Sequence, residues 1–538
     1  MAERRIQGRP AAPGFFAGTL HVEAARAVAA AEIAAGEAGA RALRAAMARA
    51  GAALAALAAR MQGEAGDIIG FQLALLEDDA LTEGAFHAIE AGVPADAAFA
   101  AALDAEITDY QTSGDAVFAA RAADLSDLRD RVLAALRGEA PAAAAAPGSI
   151  IVAADFTPSR FLEQDWSRGG ALVLAGGSAS GHVAILARGR GVPMIAGAPV
   201  AGLSSGMQAL VQADAGLLVA EPAAPSRAAF VAAQAAADAA ASGAAEFALR
   251  PALTRDGTPV AVHLNIAGLA DIAGLDPALC DGIGLTRTEF LFQGAALPDE
   301  AAQYAFYRRL VDWARGRPVV IRTLDAGGDK PVKGVTIDGE SNPFLGLRGI
   351  RLSLAGPDIF RVQLRALLRA SAHGALKIML PMVTVPAELE AARALLADEA
   401  ARLRAAGAAI GQPELGIMVE VPACALALDL FDADFFSIGS NDLTQYVTAA
   451  GRDMASVAAL ADTAHPAVLR LIALCAAHGV TSGRSVSLCG DAAADPRLVP
   501  LLLDAGLRSL SVAPPFAGLV KQAIAAHDLR KKFRGETT

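Results

Sequence analysis

One histidine in this chain stands where phosphoryl chemistry could be done. Residues 175–199 read AGGSASGHVAILARGRGVPMIAGAP. A small, glycine-rich loop (Gly176, Gly177, Gly181) leads into His182, an apolar run from Val183 to Ala187 and then Arg188. A Gly-Val-Pro turn at Gly191–Pro193 closes the stretch. Glycines let backbone N–H groups approach an anion, and a helix N-terminus adds partial positive charge. A neutral imidazole is a competent nucleophile for a phosphoryl group near neutral pH. The spacing fits a phosphohistidine site. It equally fits a surface histidine in an ordinary strand-to-helix connection.

A second set of reactive side chains lies further along. Arg287, Glu289, Arg322, Asp325, Glu420, Asn441, Asp442, Cys489 and Asp491 each fall at the end of a short β-like run. Arg287, Arg322, Arg348 and Arg452 together form a multivalent anion clamp, because guanidinium forks match carboxylate and phosphate oxygens. Any one of them alone reads as well as a surface ion pair worth roughly 0–1 kcal/mol. Glu420 and Asp442 end neighbouring runs and offer hard oxygen ligands with open positions, as Mg²⁺ needs when phosphate completes its shell. Lys330, in GGDK, adds a further phosphate partner. Cys489, in SLCGD, is placed to act as a general acid or base beside a cationic site. Cys280, Cys424 and Cys475 read instead as small buried hydrophobes. The ligand that suits this inventory is a small phosphorylated carboxylic acid.

The elements that must carry these groups follow from periodicity. From residue 251 strands alternate with helices, and the strand candidates are 260–267, 282–289, 317–325, 376–383, 414–422, 434–442, 485–491 and 507–512. Eight such runs within residues 251–538 predict a (β/α)₈ barrel, whose site lies at the strand C-terminal ends. Before it, residues 1–21 hold one or two short strands, and residues 22–139 repeat Ala and Leu at helical spacing, predicting a helical bundle. Residues 148–221 return to short β-like runs, so the bundle interrupts one α/β domain, to which His182 belongs. The run at 140–147 is a low-complexity linker, and residues 222–250 form an Ala-rich helical connector. Both are expected hinges.

Composition narrows the class. The net charge of −11 speaks against generic nucleic-acid binding. Residues 22–139 hold 9 Arg, no Lys and 19 acidic residues, so nearly the whole excess sits in the bundle. That surface serves either solubility or the docking of a basic protein. No stretch reads as a membrane span, and MAERRIQGRP lacks the apolar region of a signal peptide. Four cysteines without metal-ligand spacing point to a reducing cytoplasm.

At this level of detail the chain resembles a known family. GIGLTRTEFLF, RTLDAGGDK, NPFLGLRGIR, MLPM, MVEVP, FFSIGSNDLTQY, HPAVLRLI and CGD are similar to the barrel of phosphoenolpyruvate-utilising enzymes. Among these, the chain resembles Enzyme I of the bacterial sugar phosphotransferase system, the phosphoenolpyruvate–protein phosphotransferases. The likeness extends to PAAPGFFAG, LLEDDAL, ADFTPS and the His182 stretch. It implies that His182 is phosphorylated and that Arg287, Arg322, Arg348 and Arg452 bind phosphoenolpyruvate, with Asn441 in the same shell; Lys330 and Asp442, at the same mouth, are counted with the substrate-binding residues. It implies Mg²⁺ on Glu420 and Asp442, with Cys489 as the acid–base thiol. It further implies a homodimer through the barrels, and a helical insertion that docks the histidine-containing carrier protein HPr. Relatives usually read Gly-Gly-x-Thr-Ser-His; here Gly177, Ser178, Ala179, Ser180 and Gly181 precede His182. Asp491 stands where Glu is usual. A pyruvate phosphate dikinase or phosphoenolpyruvate synthase would need an ATP-binding domain ahead of the histidine, and no P-loop appears. A non-catalytic regulator is opposed by the presence of His182, Glu420, Asp442 and Cys489.

Overall fold

Residues 4–12 make one extended run that Gly8 divides into β1 (Arg4–Gln7) and β2 (Arg9–Ala12). In this computed structural model a Cβ at Gly8 would lie 2.5 Å from Ile195 Cγ2 and 2.9 Å from the Ala196 carbonyl oxygen, so only glycine fits. The described residues are 3–23, 34–59, 64–76, 78–112, 116–139, 145–176, 182–292, 297–328, 330, 332, 334–337, 340–451, 457 and 460–530. They form two units, Met1–Ala236 and Ala237–Thr538.

The first unit is built on an eight-stranded sheet in the order β1-β8-β7-β3-β4-β5-β6-β2. Its further strands are β3 (Phe15–Val22), β4 (Ser149–Ala153), β5 (Ala171–Leu174), β6 (Met194–Ala196), β7 (Gln208–Gln212) and β8 (Leu217–Ala220). Strands β3 to β6 are parallel, while β7 and β8 continue antiparallel from β3. The two halves of the opening run pair with opposite margins, β1 with β8 and β2 with β6. One segment thereby supplies the outermost strand at both margins, and each is only four residues long, as suits an edge. The sequence predicts one or two strands before residue 21; there are three, because no local signal marks the split at Gly8.

Five helices follow β3: α1 (Gly36–Ala58), α2 (Glu64–Leu76), α3 (Asp79–Glu90), α4 (Ala95–Thr112) and α5 (Ala116–Leu136). Leu43, Leu54, Ile89, Phe99, Leu103, Leu125 and Leu128 close the bundle interior. Strand alternation divides the sheet between two cores. Ile151, Leu172 and Leu174 pack into the bundle, whereas Ile150, Val152 and Val173 pack on the opposite face. The short helix α6 (Pro158–Glu163) is held by Asp127 of α5, which accepts from the Ser159 backbone N–H at 3.1 Å and the Ser159 hydroxyl at 2.8 Å. Part of the expected linker at 140–147 lies outside the described residues. Its Ala145 is fixed, exchanging two hydrogen bonds with Gln164 at 3.0 and 2.8 Å.

The helix α7 (His182–Arg190) opens at His182, and Ala184 and Ala187 are fully buried beneath it. Arg188 donates to the Ala11 carbonyl at 2.6 Å, tying α7 to β2. Then comes the helix α8 (Ala224–Ala248), within the Ala-rich run at 222–250. In the first unit its start is capped by Glu3, which accepts from the Ala223 N–H and the Ser226 hydroxyl. Phe230 packs edge-on against Phe15 at 5.6 Å.

The second unit is a closed parallel barrel. Its strands are β9 (Ala261–Ile266), β10 (Ile283–Thr286), β11 (Val319–Arg322), β12 (Leu376–Leu380), β13 (Glu414–Val419), β14 (Phe435–Gly439), β15 (Ser485–Cys489) and β16 (Ser509–Val512). Ile321, Ile378, Ile417, Ile438 and Leu488 turn outward onto the surrounding helices. Leu285, Val320, Met379, Met418, Phe435 and Cys489 form a separate inner cluster. That alternation sends Arg322, two residues after Val320, into the barrel interior. Within this unit the end of α8 is held by Lys521, whose Nζ donates to the Ala248 carbonyl at 2.7 Å. No helix among the described residues is long and apolar enough to cross a membrane.

Candidate active site at the barrel mouth

Asp325 is the hub of the site. It lies in the turn after β11 and has no exposed side-chain surface. Its two oxygens accept from Arg348 Nε and Nη2, each at 3.1 Å, and from Lys330 Nζ at 2.7 Å. Arg322 Nη1 lies 3.2 Å away. Burial by itself would raise the Asp325 pKa, but Arg322, Lys330 and Arg348 outweigh it and hold the carboxyl far below the usual range.

Both buried arginines have most of their donors committed. Arg322 donates Nη2 to Glu289 at 2.7 Å and approaches Met418 Sδ with Nη1 at 3.6 Å; its Nε is buried without a partner. Arg348, fully buried, also meets Asp442 at 3.1 Å through Nη1 and at 3.4 Å through Nη2. Close backbone packing makes room for it. A Cβ at Gly327, which sits at φ +108°, would lie 2.7 Å from the Leu347 carbonyl oxygen. Tyr446 completes that wall, donating to the Phe344 carbonyl at 2.5 Å.

Glu420 is the exception to this pairing. It follows β13, and its Oε1 accepts from the Met382 N–H at 2.7 Å. Its Oε2 is buried with no partner. Burial, followed by the nearby Asp442 and Asp325 carboxylates, raises its pKa well above the ordinary carboxylate range. Gly439 is packed so closely that a Cβ there would lie 2.8 Å from that bare oxygen. Four carboxylates (Glu289, Asp325, Glu420, Asp442) thus face three cations (Arg322, Arg348, Lys330). An orphaned oxygen in an acidic excess fits a hard divalent cation. No cluster of three His, Cys, Asp or Glu suited to a metal occurs among the described residues. Glu420 and Asp442 would hold such an ion, with ligand oxygens and water at its remaining positions.

Cys489 ends β15 inside the barrel. Its thiol donates to the Ile438 carbonyl at 3.5 Å and accepts from Ser437 Oγ at 3.6 Å. Burial pushes its pKa up to about 11, so it is a neutral thiol at physiological pH. The remaining cysteines are buried too, as expected of small apolar residues.

Arg322, Arg348, Lys330, Glu420, Asp442 and Cys489 belong to this one unit, with Asn441 beside them. Arg287 stands apart from the buried ion pairs. It is exposed on the wall of a cleft of about 650 Å³, with Asn265, Asp271, Gly490 and Asp491. Arg452 and the loop 177–181 lie outside the described residues, and His182 is in the other unit. Sequence reasoning gave no role to Glu289 and Asp325, which serve as the arginines' counter-ions. It missed Gln363 altogether. Gln363 accepts from the Leu324 N–H at 2.9 Å and donates to Tyr307 at 3.0 Å, fixing the turn that carries Asp325. The available signal was a polar residue on the Phe360–Leu364–Leu367 face of a helix.

Comparison with known proteins bears on what this mouth holds. Residues 241–529 match the family model described as PEP-utilising enzyme, PEP-binding domain. Residues 7–121 match its N-terminal model and residues 145–216 its mobile-domain model. The chain is 39% identical over 483 residues to a phosphoenolpyruvate-protein phosphotransferase of Haloferax volcanii, covering 88% of this chain and 84% of that protein. A protein of the same name from Listeria innocua is 36% identical over 466 residues, covering 85% and 82%. A multiphosphoryl transfer protein of Rhodobacter capsulatus is 40% identical over 416 residues, covering 76% of this chain and 50% of that one. Three models matched along the chain, and relatives alike across most of its length, place this enzyme of phosphoenolpyruvate-dependent phosphoryl transfer in the phosphoenolpyruvate-protein phosphotransferase family.

Proposed function

We propose that the chain moves the phosphoryl group of phosphoenolpyruvate onto a ring nitrogen of His182 and then onto the carrier protein HPr, releasing pyruvate. The observation that carries this reading is Glu420. A buried carboxylate with one bare oxygen, above arginines already fixed by Asp325, is prepared for a cation and a polyanion together. Arg322, Arg348, Lys330, Asn441, Asp442, Arg287 and Arg452 are the proposed ligands of the substrate. Rigid pairing keeps Arg322 and Arg348 from reorganising as charge shifts, which is how preorganised sites stabilise transition states. Glu420 and Asp442 would hold Mg²⁺, which would supply positive charge to the oxygens of the transferring group. The P–O bond to the enol oxygen breaks as the N–P bond to His182 forms. The enolate carbon then takes the Cys489 proton, which a neutral thiol has available.

The acidic bundle surface supports the carrier step, since a basic patch on HPr would be steered toward it. A homodimer through the barrels, and movement of the His182 unit about the connector, belong to the same reading. The test is to incubate wild type and His182→Ala with labelled phosphoenolpyruvate and Mg²⁺. Acid-labile, base-stable label on wild type alone is expected. Equal label on His182→Ala would overturn the assignment.

A further inference from the structure

We infer that Asp491 is a positioning residue that makes Asn441 a donor toward an anion; this rests on the phosphoenolpyruvate reading above. Strands β14 and β15 lie side by side, with Gly439 opposite Cys489. Beyond that pair the two chains turn away, yet they stay joined. Ser440 Oγ donates to the Cys489 carbonyl at 2.8 Å. The backbone N–H of Asp491 donates to Asn441 Oδ1 at 3.0 Å, and Asn441 Nδ2 donates to Asp491 Oδ2 at 3.1 Å.

These two bonds make opposite demands on one amide. A backbone N–H can only donate, so Oδ1 must face it; a carboxylate accepts, so Nδ2 must face that. The flip of Asn441 is thereby set. Its Nδ2 carries two N–H groups and the Asp491 carboxylate takes one, which leaves the second for a ligand. Gly490, at φ +100°, is what allows the approach. A Cβ there would run into Ser440 Oγ and lie 2.8 Å from Asn441 Oδ1. Asp491 itself is exposed on the wall of the cleft that also carries Arg287. Without its side chain the amide is held on one side only, and a rotated Asn441 would turn a carbonyl oxygen toward a polyanionic substrate.

The test is a double-mutant cycle on the full chain, reading the phosphoenolpyruvate Kd by calorimetry with Mg²⁺ in a His182→Ala background, where no phosphoryl transfer consumes the ligand, alongside labelling of chains that keep His182. Asp491→Ala should raise Kd on the order of tenfold, as for a lost bond to a charged group, without lowering the melting temperature. Asp491→Glu, which keeps the carboxylate, should stay within about threefold of wild type. In an Asn441→Ala background Asp491→Ala should add less than about twofold. Full additivity of the two alanine changes, or a glutamate variant as weak as alanine, would overturn the inference. A wild type that binds phosphoenolpyruvate but takes no label would defeat the functional reading and leave this cycle measurable. Absence of binding would defeat both.

Discussion

Arg348 and Asp325 share two parallel hydrogen bonds of 3.1 Å, and neither side chain has any exposed surface. Such a pair costs desolvation on both sides, so its net contribution is small while it is intact and large once it is broken. Asp325→Asn keeps the shape but leaves two buried guanidinium groups short of a counter-charge. The barrel unit should lose about 3–5 kcal/mol, read by urea titration of the full chain. Lys330→Met, at the partly exposed end of the same cluster, should cost less than about 1 kcal/mol. Equal losses in the two variants would show that the buried fork is not what holds this wall.

Glu420 predicts the opposite sign. Its carboxyl is buried beside two carboxylates and its Oε2 has no partner, so the site disfavours its charged form until a cation arrives. Glu420→Gln keeps an acceptor for the Met382 N–H and removes the repulsion. It should melt at or above the wild-type temperature, yet transfer phosphoryl groups at least about a hundredfold more slowly. Added Mg²⁺ should raise the melting temperature of wild type and leave Glu420→Gln unmoved. A Mg²⁺ response as large in the variant would remove Glu420 from the metal site.

The barrel was readable because five of its eight apolar runs end in reactive polar residues, a pattern that core packing does not produce. The same reading treated Arg348 as a free ligand for anions. What it lacked was the partner list: Asp325 lies 23 positions from Arg348 and Asp442 lies 94, and only barrel closure brings the three together. Gln363 was invisible for a related reason. On its helix it interrupts an apolar face, and its bond to the Leu324 N–H depends on a strand end 39 positions away.

Cys489 sets a pH dependence. Its thiol is held at about 11, above the ordinary value near 8.5, because the buried thiolate is disfavoured. A group whose folded pKa is raised keeps its proton through the window between those two values. Pyruvate release in single turnovers should therefore stay flat in its alkaline limb from pH 7 to about pH 9.5. Cys489→Ala should slow pyruvate formation by about 10²–10⁴. A fall centred near pH 8.5 in wild type would mean that an exposed thiol, or another acid, delivers the proton.

Gly8 offers a test confined to the first unit. A methyl at this position would sit 2.5 Å from Ile195 Cγ2 and 2.9 Å from the Ala196 carbonyl oxygen, a strand backbone atom that cannot retreat freely. Gly8→Ala should cost about 1–3 kcal/mol, as overpacking does, and the loss should appear in only one of two calorimetric transitions. The barrel transition should keep its midpoint, and phosphoenolpyruvate affinity should be unchanged, since every proposed ligand of that substrate lies beyond residue 236. Because β1 and β2 are the outermost strands at opposite margins of the same sheet, releasing one of them exposes the strand inside it. The variant should accordingly form concentration-dependent oligomers on mild heating that wild type does not. A Gly8→Ala chain with an unshifted first transition would mean that the sheet margins close without the tight passage at this residue.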